Sequence, residues 1–188
     1  SRGKAAIGNV LLLVASLYVG LLVTDALLYT FFVKHPPAPH DPGLYMDDSE
    51  RGFSLTPGFQ GFLRHRAGKT PVSVNAQGYR GPEWDLDRQL KIMVVGDSYT
   101  FGVPLTYQEG FVHKTQSRLG DHAAVLNLGV PGYGAPAILQ TIHRECEKIQ
   151  PQHVFYMYYL NDSRDDNLDM FLYRVFDGYL APTRNKEG

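Results

Sequence analysis

Cysteine is almost absent: Cys146 is the single one in 188 residues. That excludes an internal disulfide framework and any metal site built on several thiolates. An excess of one charge is also lacking, since 18 Lys plus Arg against 19 Asp plus Glu leave a formal net charge of −1. Nucleic-acid binders usually carry a basic surplus, so that class of partner is not expected. No internal repeat and no low-complexity tract interrupts the chain. With 44% hydrophobic and 20% charged residues, the composition is that of a chain that buries a core. Glycine (19), proline (12) and tyrosine (12) are plentiful, which predicts many loops.

The most conspicuous feature is an apolar run from Ile7 to Val33, preceded by Arg2 and Lys4 and followed by Lys34. As a helix rising about 1.5 Å per residue, it is long enough to cross a bilayer core. Asn9 and Asp25 oppose insertion. A mid-helix Asp costs about 2.5–3.5 kcal/mol, and less near an end. The 16 Leu, Ile, Val and Phe residues of the run contribute about 5–10 kcal/mol in favour, so the apolar term wins. Thr24-Asp25-Ala26 is a poor signal-peptidase site, and the run resumes after it. Residues 1–34 are therefore expected to be a single-pass anchor. The few flanking basic residues lean towards a cytoplasmic N-terminus.

His35 to Pro42 holds four prolines and reads as an extended stem. Residues 35–89 form a linker and lead-in segment. Within it, Phe59 to Arg66 and Pro71 to Asn75 are expected to pair across a turn at Ala67-Gly68-Lys69-Thr70, and Asn75 to Gly78 reads as a further turn. From residue 90 the pattern changes to apolar strands alternating with amphipathic helices. Strands are expected at Lys91 to Val95, Ala123 to Leu128 and His153 to Leu160, and helices at Glu109 to Leu119 and Ala135 to Ile149. The second helix places Ile138, Leu139, Ile142, Cys146 and Ile149 on one face. The third strand is apolar and aromatic throughout, as a strand covered on both faces would be. Strand-helix-strand-helix-strand implies an α/β fold with a parallel sheet, whose ligands bind beyond the carboxyl ends of the strands. Asp177-Gly178, between Leu172 to Phe176 and Tyr179 to Ala181, predicts a two-residue hairpin.

The three strand ends carry the chemistry. The first runs into Gly96-Asp97-Ser98-Tyr99-Thr100-Phe101-Gly102, the second into Asn127-Leu128-Gly129-Val130-Pro131-Gly132, and the third into Asn161-Asp162. Each alone reads as a turn or a helix cap. Brought to one rim, they offer a hydroxyl, a glycine N–H and a side-chain amide: a nucleophile with donors for an oxyanion, as acyl transfer requires. This is not the Gly-x-Ser-x-Gly elbow of the α/β-hydrolases, because Thr100 stands where its second glycine belongs. No phosphate-binding glycine pattern follows the first strand either.

These blocks, in this order, resemble the GDSL/SGNH hydrolase family over about residues 75–175. Asn75, Gly78, Arg80 and Gly81 also resemble the lead-in of its membrane-anchored bacterial members. The resemblance implies a flavodoxin-like three-layer α/β/α sandwich, the SGNH hydrolase fold. It implies Ser98 as nucleophile, with the Ser98 N–H, the Gly129 N–H and the Asn161 amide as oxyanion hole, and Gly96, Asp97 and Asp162 in support. Asp97 is expected to brace the loop rather than act as an acid. The insert around the predicted hairpin is expected at the substrate mouth.

Two departures stand out. Tyr159 replaces the glycine usual before the Asn-Asp pair. The family's late Asp-x-x-His is missing, since no histidine follows His153 and none of the seven has an Asp three residues before it. Residues 90–188 are therefore expected to be the N-terminal part of the hydrolase domain, an incomplete sheet that is inactive by itself. The expected activity is that of a serine esterase acting on acylated envelope polysaccharide, lipid or small esters, with no cofactor and no metal. The acidic residues Asp162, Asp165, Asp166 and Asp169 read as a solvated loop. The location implied is the inner membrane, with the domain periplasmic or extracellular. Alternatives are O-acyl transfer to a polysaccharide and a non-catalytic tethered binding or assembly protein. Oligomeric state is left open.

Overall fold

The computed structural model describes residues 2–30, 40–65, 68–159 and 173–182. The chain divides into two compact units, Ser1–Ala38 and Pro39–Gly188. The first holds one helix, α1 (Arg2–Leu28), of which Gly8–Leu28 is long and apolar enough to cross a membrane. Its leucines and valines are exposed along the whole helix, as in a span that meets lipid rather than a protein core.

The second unit begins with two antiparallel hairpins: β1 (Tyr45–Asp48) with β2 (Gly52–Leu55), and β3 (Gln60–His65) with β4 (Gly68–Ser73). The second hairpin corrects the expected turn. His65 already pairs with Gly68, and Lys69 and Thr70 belong to β4. Gly68 takes a φ of +137° that other residues avoid, so the chain reverses before it, and the β-branched Thr70 is buried in the strand. The turn at Asn75 to Gly78 forms as expected. The Gly78 N–H donates to the Asn75 carbonyl at 3.0 Å, with Gly78 at a φ of +85°.

The α/β part follows as β5 (Leu90–Gly96), α2 (Ser98–Phe101), α3 (Phe111–Leu119), β6 (Ala123–Gly129), α4 (Ala135–Ile149) and β7 (His153–Met157). The three strands form a parallel sheet of order β6-β5-β7. Period-two alternation sends β5 side chains to two cores. Ile92 and Val94 meet Val112 of α3, whereas Met93 and Val95 join the larger cluster with Ala137, Ile138 and Ile149 of α4. That larger cluster also takes Leu44, Phe53, Leu55, Val72, Val74 and Tyr79 from the lead-in. The lead-in is thus part of the core of the α/β unit, not a tether hanging from it.

α4 matches its predicted bounds. Pro136 sits in its first turn, and Gln150 at a φ of +48° ends it, donating its N–H to the Cys146 carbonyl at 2.9 Å. Its buried face is rotated from the expected one: Leu139 is 51% exposed, while Thr141 and Glu145 are buried. Glu145 turns inward because it accepts a hydrogen bond from the buried Tyr79 hydroxyl at 3.2 Å, which in turn accepts from Arg51 at 3.1 Å. The expectation for the third strand also changes. β7 ends at Met157 and is exposed over all five residues, because β5 is its single strand neighbour among the described residues.

The last hairpin, β8 (Tyr173–Phe176) and β9 (Tyr179–Pro182), forms as predicted, with Asp177 and Gly178 at positive φ of +50° and +78°. It packs on β1 and β2, where Tyr173 meets Phe53 and the Gly178 carbonyl accepts from the Gly43 N–H at 2.7 Å.

Candidate active site at the strand ends

Parallel register puts the strand ends side by side: Gly96 pairs with Gly129 on one side and with Met157 on the other. Ser98 lies two residues beyond this row, as the first residue of the one-turn helix α2. Asp97 is buried between them. Its Oδ1 accepts the Tyr99 N–H at 2.9 Å, and its carbonyl accepts the Phe101 N–H at 2.9 Å, which locks the turn. The Ser98 carbonyl accepts from both the Gly102 and the Val103 N–H at 3.0 Å, and Gly102 closes the turn at a φ of +93°. Ser98 itself is half-buried, and neither its hydroxyl nor its N–H has a partner among the described residues.

The two paired glycines let α2 lie directly on the strand ends. A Cβ on Gly129 would stand 2.6 Å from the Thr100 carbonyl carbon and closer still to the Phe101 nitrogen. A Cβ on Gly96 would collide with the Thr100 hydroxyl. Gly96 and Gly129 therefore set how near the serine turn comes to the sheet.

Of the expected oxyanion donors, the Ser98 N–H is unengaged. The Gly129 N–H instead donates to Oδ1 of Asn127 at 3.0 Å, inside its own loop. Three residues on, the Gly132 N–H has no hydrogen-bond partner among the described residues, and Gly132 holds a φ of +93°. Asn161 and Asp162 lie outside the described residues, as do Asp165, Asp166 and Asp169.

No described histidine hydrogen-bonds to Ser98. His153 starts β7, opposite Ile92, at the far end of the sheet from the rim. His113 faces Tyr107 on α3, His143 is exposed on α4, and His40 is packed between Tyr45 and Tyr179. Nor do the described residues group three or more histidine, cysteine or carboxylate side chains in a way that would hold a metal ion.

The sequence did not single out the pair formed by Tyr99 and Tyr159. Their ring centres lie 4.0 Å apart with the planes tilted by 30°, and the Tyr99 hydroxyl donates to that of Tyr159 at 2.9 Å, which raises the Tyr99 pKa. The departure at residue 159 is therefore occupied structurally: its side chain lies across the residue next to Ser98. A comparison with protein-family models, curated proteins and solved structures finds no significant match to this chain.

Proposed function

We propose that the chain is a membrane-anchored serine esterase of the SGNH type, acting on ester-linked acyl groups of envelope polysaccharide, lipid or small esters. The observation that supports this most is the register that puts Ser98, unpartnered on a turn braced by Asp97, directly beyond the paired ends Gly96 and Gly129. The Ser98 Oγ attacks the ester carbonyl and a base takes its proton. The alkoxide leaves with that proton to give an acyl-serine, and water then reverses the sequence. The Ser98 N–H is free to hold the oxyanion. The Gly129 N–H must first leave Asn127. Asn161 is the proposed third donor. A donor of this kind contributes on the order of 3 kcal/mol to the transition state.

The anchor reading places the N-terminus in the cytoplasm and the Ser98 unit outside the inner membrane. Transfer of the acyl group to a sugar hydroxyl in place of water uses the same residues. The second reading is a tethered binding or assembly module that keeps the fold without catalysis. The deciding experiment is turnover of p-nitrophenyl acetate by the full-length gene product against its Ser98→Ala variant. Turnover lost in the variant supports the esterase. Equal, background-level rates in both, with no acyl-enzyme by mass spectrometry, reject it in favour of the binding module.

A further inference from the structure

Arg80 is a buried cation without a carboxylate partner among the described residues, and it is only 2% exposed. Its guanidinium is directed at backbone carbonyls. Nη1 donates to Phe101 at 2.9 Å and Gly102 at 3.2 Å; Nη2 donates to Leu105 at 2.7 Å and, more distantly, to Pro71 at 3.5 Å. The guanidinium carbon also lies 4.7 Å from the centre of the Phe101 ring. Burial pushes its pKa down to about 10, so it remains charged at neutral pH.

The identity of those carbonyls matters. Phe101 and Gly102 end the one-turn helix that Ser98 begins, and a helix end leaves its last carbonyls without intrahelical donors. Arg80 supplies those donors from outside the turn. It is itself held rigidly. Asn75 accepts the Tyr79 N–H at 2.9 Å through Oδ1 and donates through Nδ2 to the Pro82 carbonyl at 2.9 Å. The Tyr107 ring fills the space where a Cβ on Gly81 would stand.

We infer that Arg80 is a positioning residue for Ser98: the lead-in turn Asn75 to Gly81 reaches across the fold and fixes the serine turn through the carbonyls behind it. The inference rests on the reading of Ser98 as nucleophile. Through its two terminal nitrogens a forked guanidinium can serve these four separate carbonyls at once, which a lysine ammonium or a neutral side chain of similar length cannot. Isolated buried charges are costly, so a buried arginine whose three shorter hydrogen bonds all go to the segment after Ser98 is best accounted for by what it does to that segment.

The test uses the full-length protein with Arg80→Met and Arg80→Lys. Amide hydrogen exchange of residues 97–105 is read beside kcat and KM on p-nitrophenyl acetate. In folded Arg80→Met, exchange over 97–105 is expected to rise at least about tenfold while β5, β6 and α4 stay protected. Over the same change, kcat falls on the order of 10²-fold with KM within about threefold. Arg80→Lys should fall between, and it carries the test if Arg80→Met does not fold. Unchanged exchange over 97–105 in a folded variant overturns the inference, as does an unchanged kcat per folded molecule. Wild-type turnover no higher than that of Ser98→Ala marks the separate failure of the esterase reading, and the inference falls with it.

Discussion

The contact between the serine turn and the sheet can be tested at two glycines that differ in what faces them. In Gly129→Ala, the new Cβ would lie 2.6 Å from the Thr100 carbonyl carbon and 2.8 Å from its Cβ, with the Phe101 nitrogen closer. Ordinary carbon contacts begin near 3.5 Å, so α2 must retreat by about 1 Å. Overpacking of that kind costs about 1–3 kcal/mol, and a 1 Å displacement of Ser98 costs on the order of 10²-fold in turnover. In Gly96→Ala, the nearest atoms are the Thr100 hydroxyl, the Thr100 Cβ at 3.0 Å and the Met157 carbonyl at 3.1 Å. The Thr100 hydroxyl is buried without a hydrogen-bond partner among the described residues. Removing it as Thr100→Ala relieves about 1–3 kcal/mol of unmet hydrogen bonding and forfeits about 1 kcal/mol of methyl burial, so this variant should be near neutral. Thr100→Ala should then rescue Gly96→Ala by about 1–2 kcal/mol and leave the Gly129→Ala defect in place, because backbone atoms cause the latter. Urea unfolding followed by Trp84 fluorescence reads wild type, the three single variants and the two double variants: Trp84 is the only tryptophan and stacks on the buried Tyr79 at 5.2 Å. A Gly129→Ala protein as stable as wild type, or equal rescue of both glycine variants, would refute the close-approach argument.

Three further outcomes are expected. Burial would raise the Asp48 carboxyl, but the Arg51 hydrogen bonds and charge outweigh it and hold the pKa below its ordinary value. A depressed folded pKa gives stability that is present above the unfolded value near 4 and is lost as pH falls through the folded value. Unfolding free energies measured between pH 5 and 2 should show this loss, and Arg51→Met should both shrink it and cost about 3 kcal/mol at pH 7; an undiminished acid transition in that variant would contradict the assignment. Asp97→Asn keeps an acceptor for the Tyr99 N–H and should retain most activity and stability, whereas Asp97→Ala should lose about 1 kcal/mol in urea unfolding. Equal damage from both would mean that the charge of Asp97, not its bracing bond, is what matters. Deleting residues 2–30 should move the protein from the floating to the soluble fraction in vesicle flotation, and a truncated protein that still floats would require a second membrane contact.

What the sequence made legible follows physical range. The periodicity of α4 and the apolar runs of β5 and β6 are local, and their bounds came out within a residue or two. The Asp-Gly turn is local too, because two successive positive φ values are a property of those residues. The buried face of α4 was not local. Thr141 and Glu145 displace Leu139 from the core because Tyr79, far away in the chain and itself bonded by Arg51, supplies a partner for Glu145, and no helical period records a distant partner. β7 forms where expected, but ends at Met157 and without the expected cover, for the opposite reason. Its composition states that cover would be favourable, but composition does not supply the cover, and Phe155 is 52% exposed beside its one strand neighbour among the described residues.

The site divides along the same line. The meeting of Gly96, Gly129 and Met157 follows from parallel pairing alone, so the rim that carries Ser98 was readable from the order of strands. The state of each donor was not. The Asn127 side chain reaches two residues ahead to the Gly129 N–H, a habit of asparagine that competes directly with an oxyanion for that donor. The Tyr99–Tyr159 pair and the Arg80 grip join segments more than twenty residues apart, through side chains whose local surroundings look ordinary. A motif therefore names the atoms that can react, while the hydrogen bonds that hold or occupy them come from elsewhere in the fold. The serine turn depends on a lead-in that pattern reading set apart as a linker, and Arg80 and Tyr79 make that lead-in part of the site's framework.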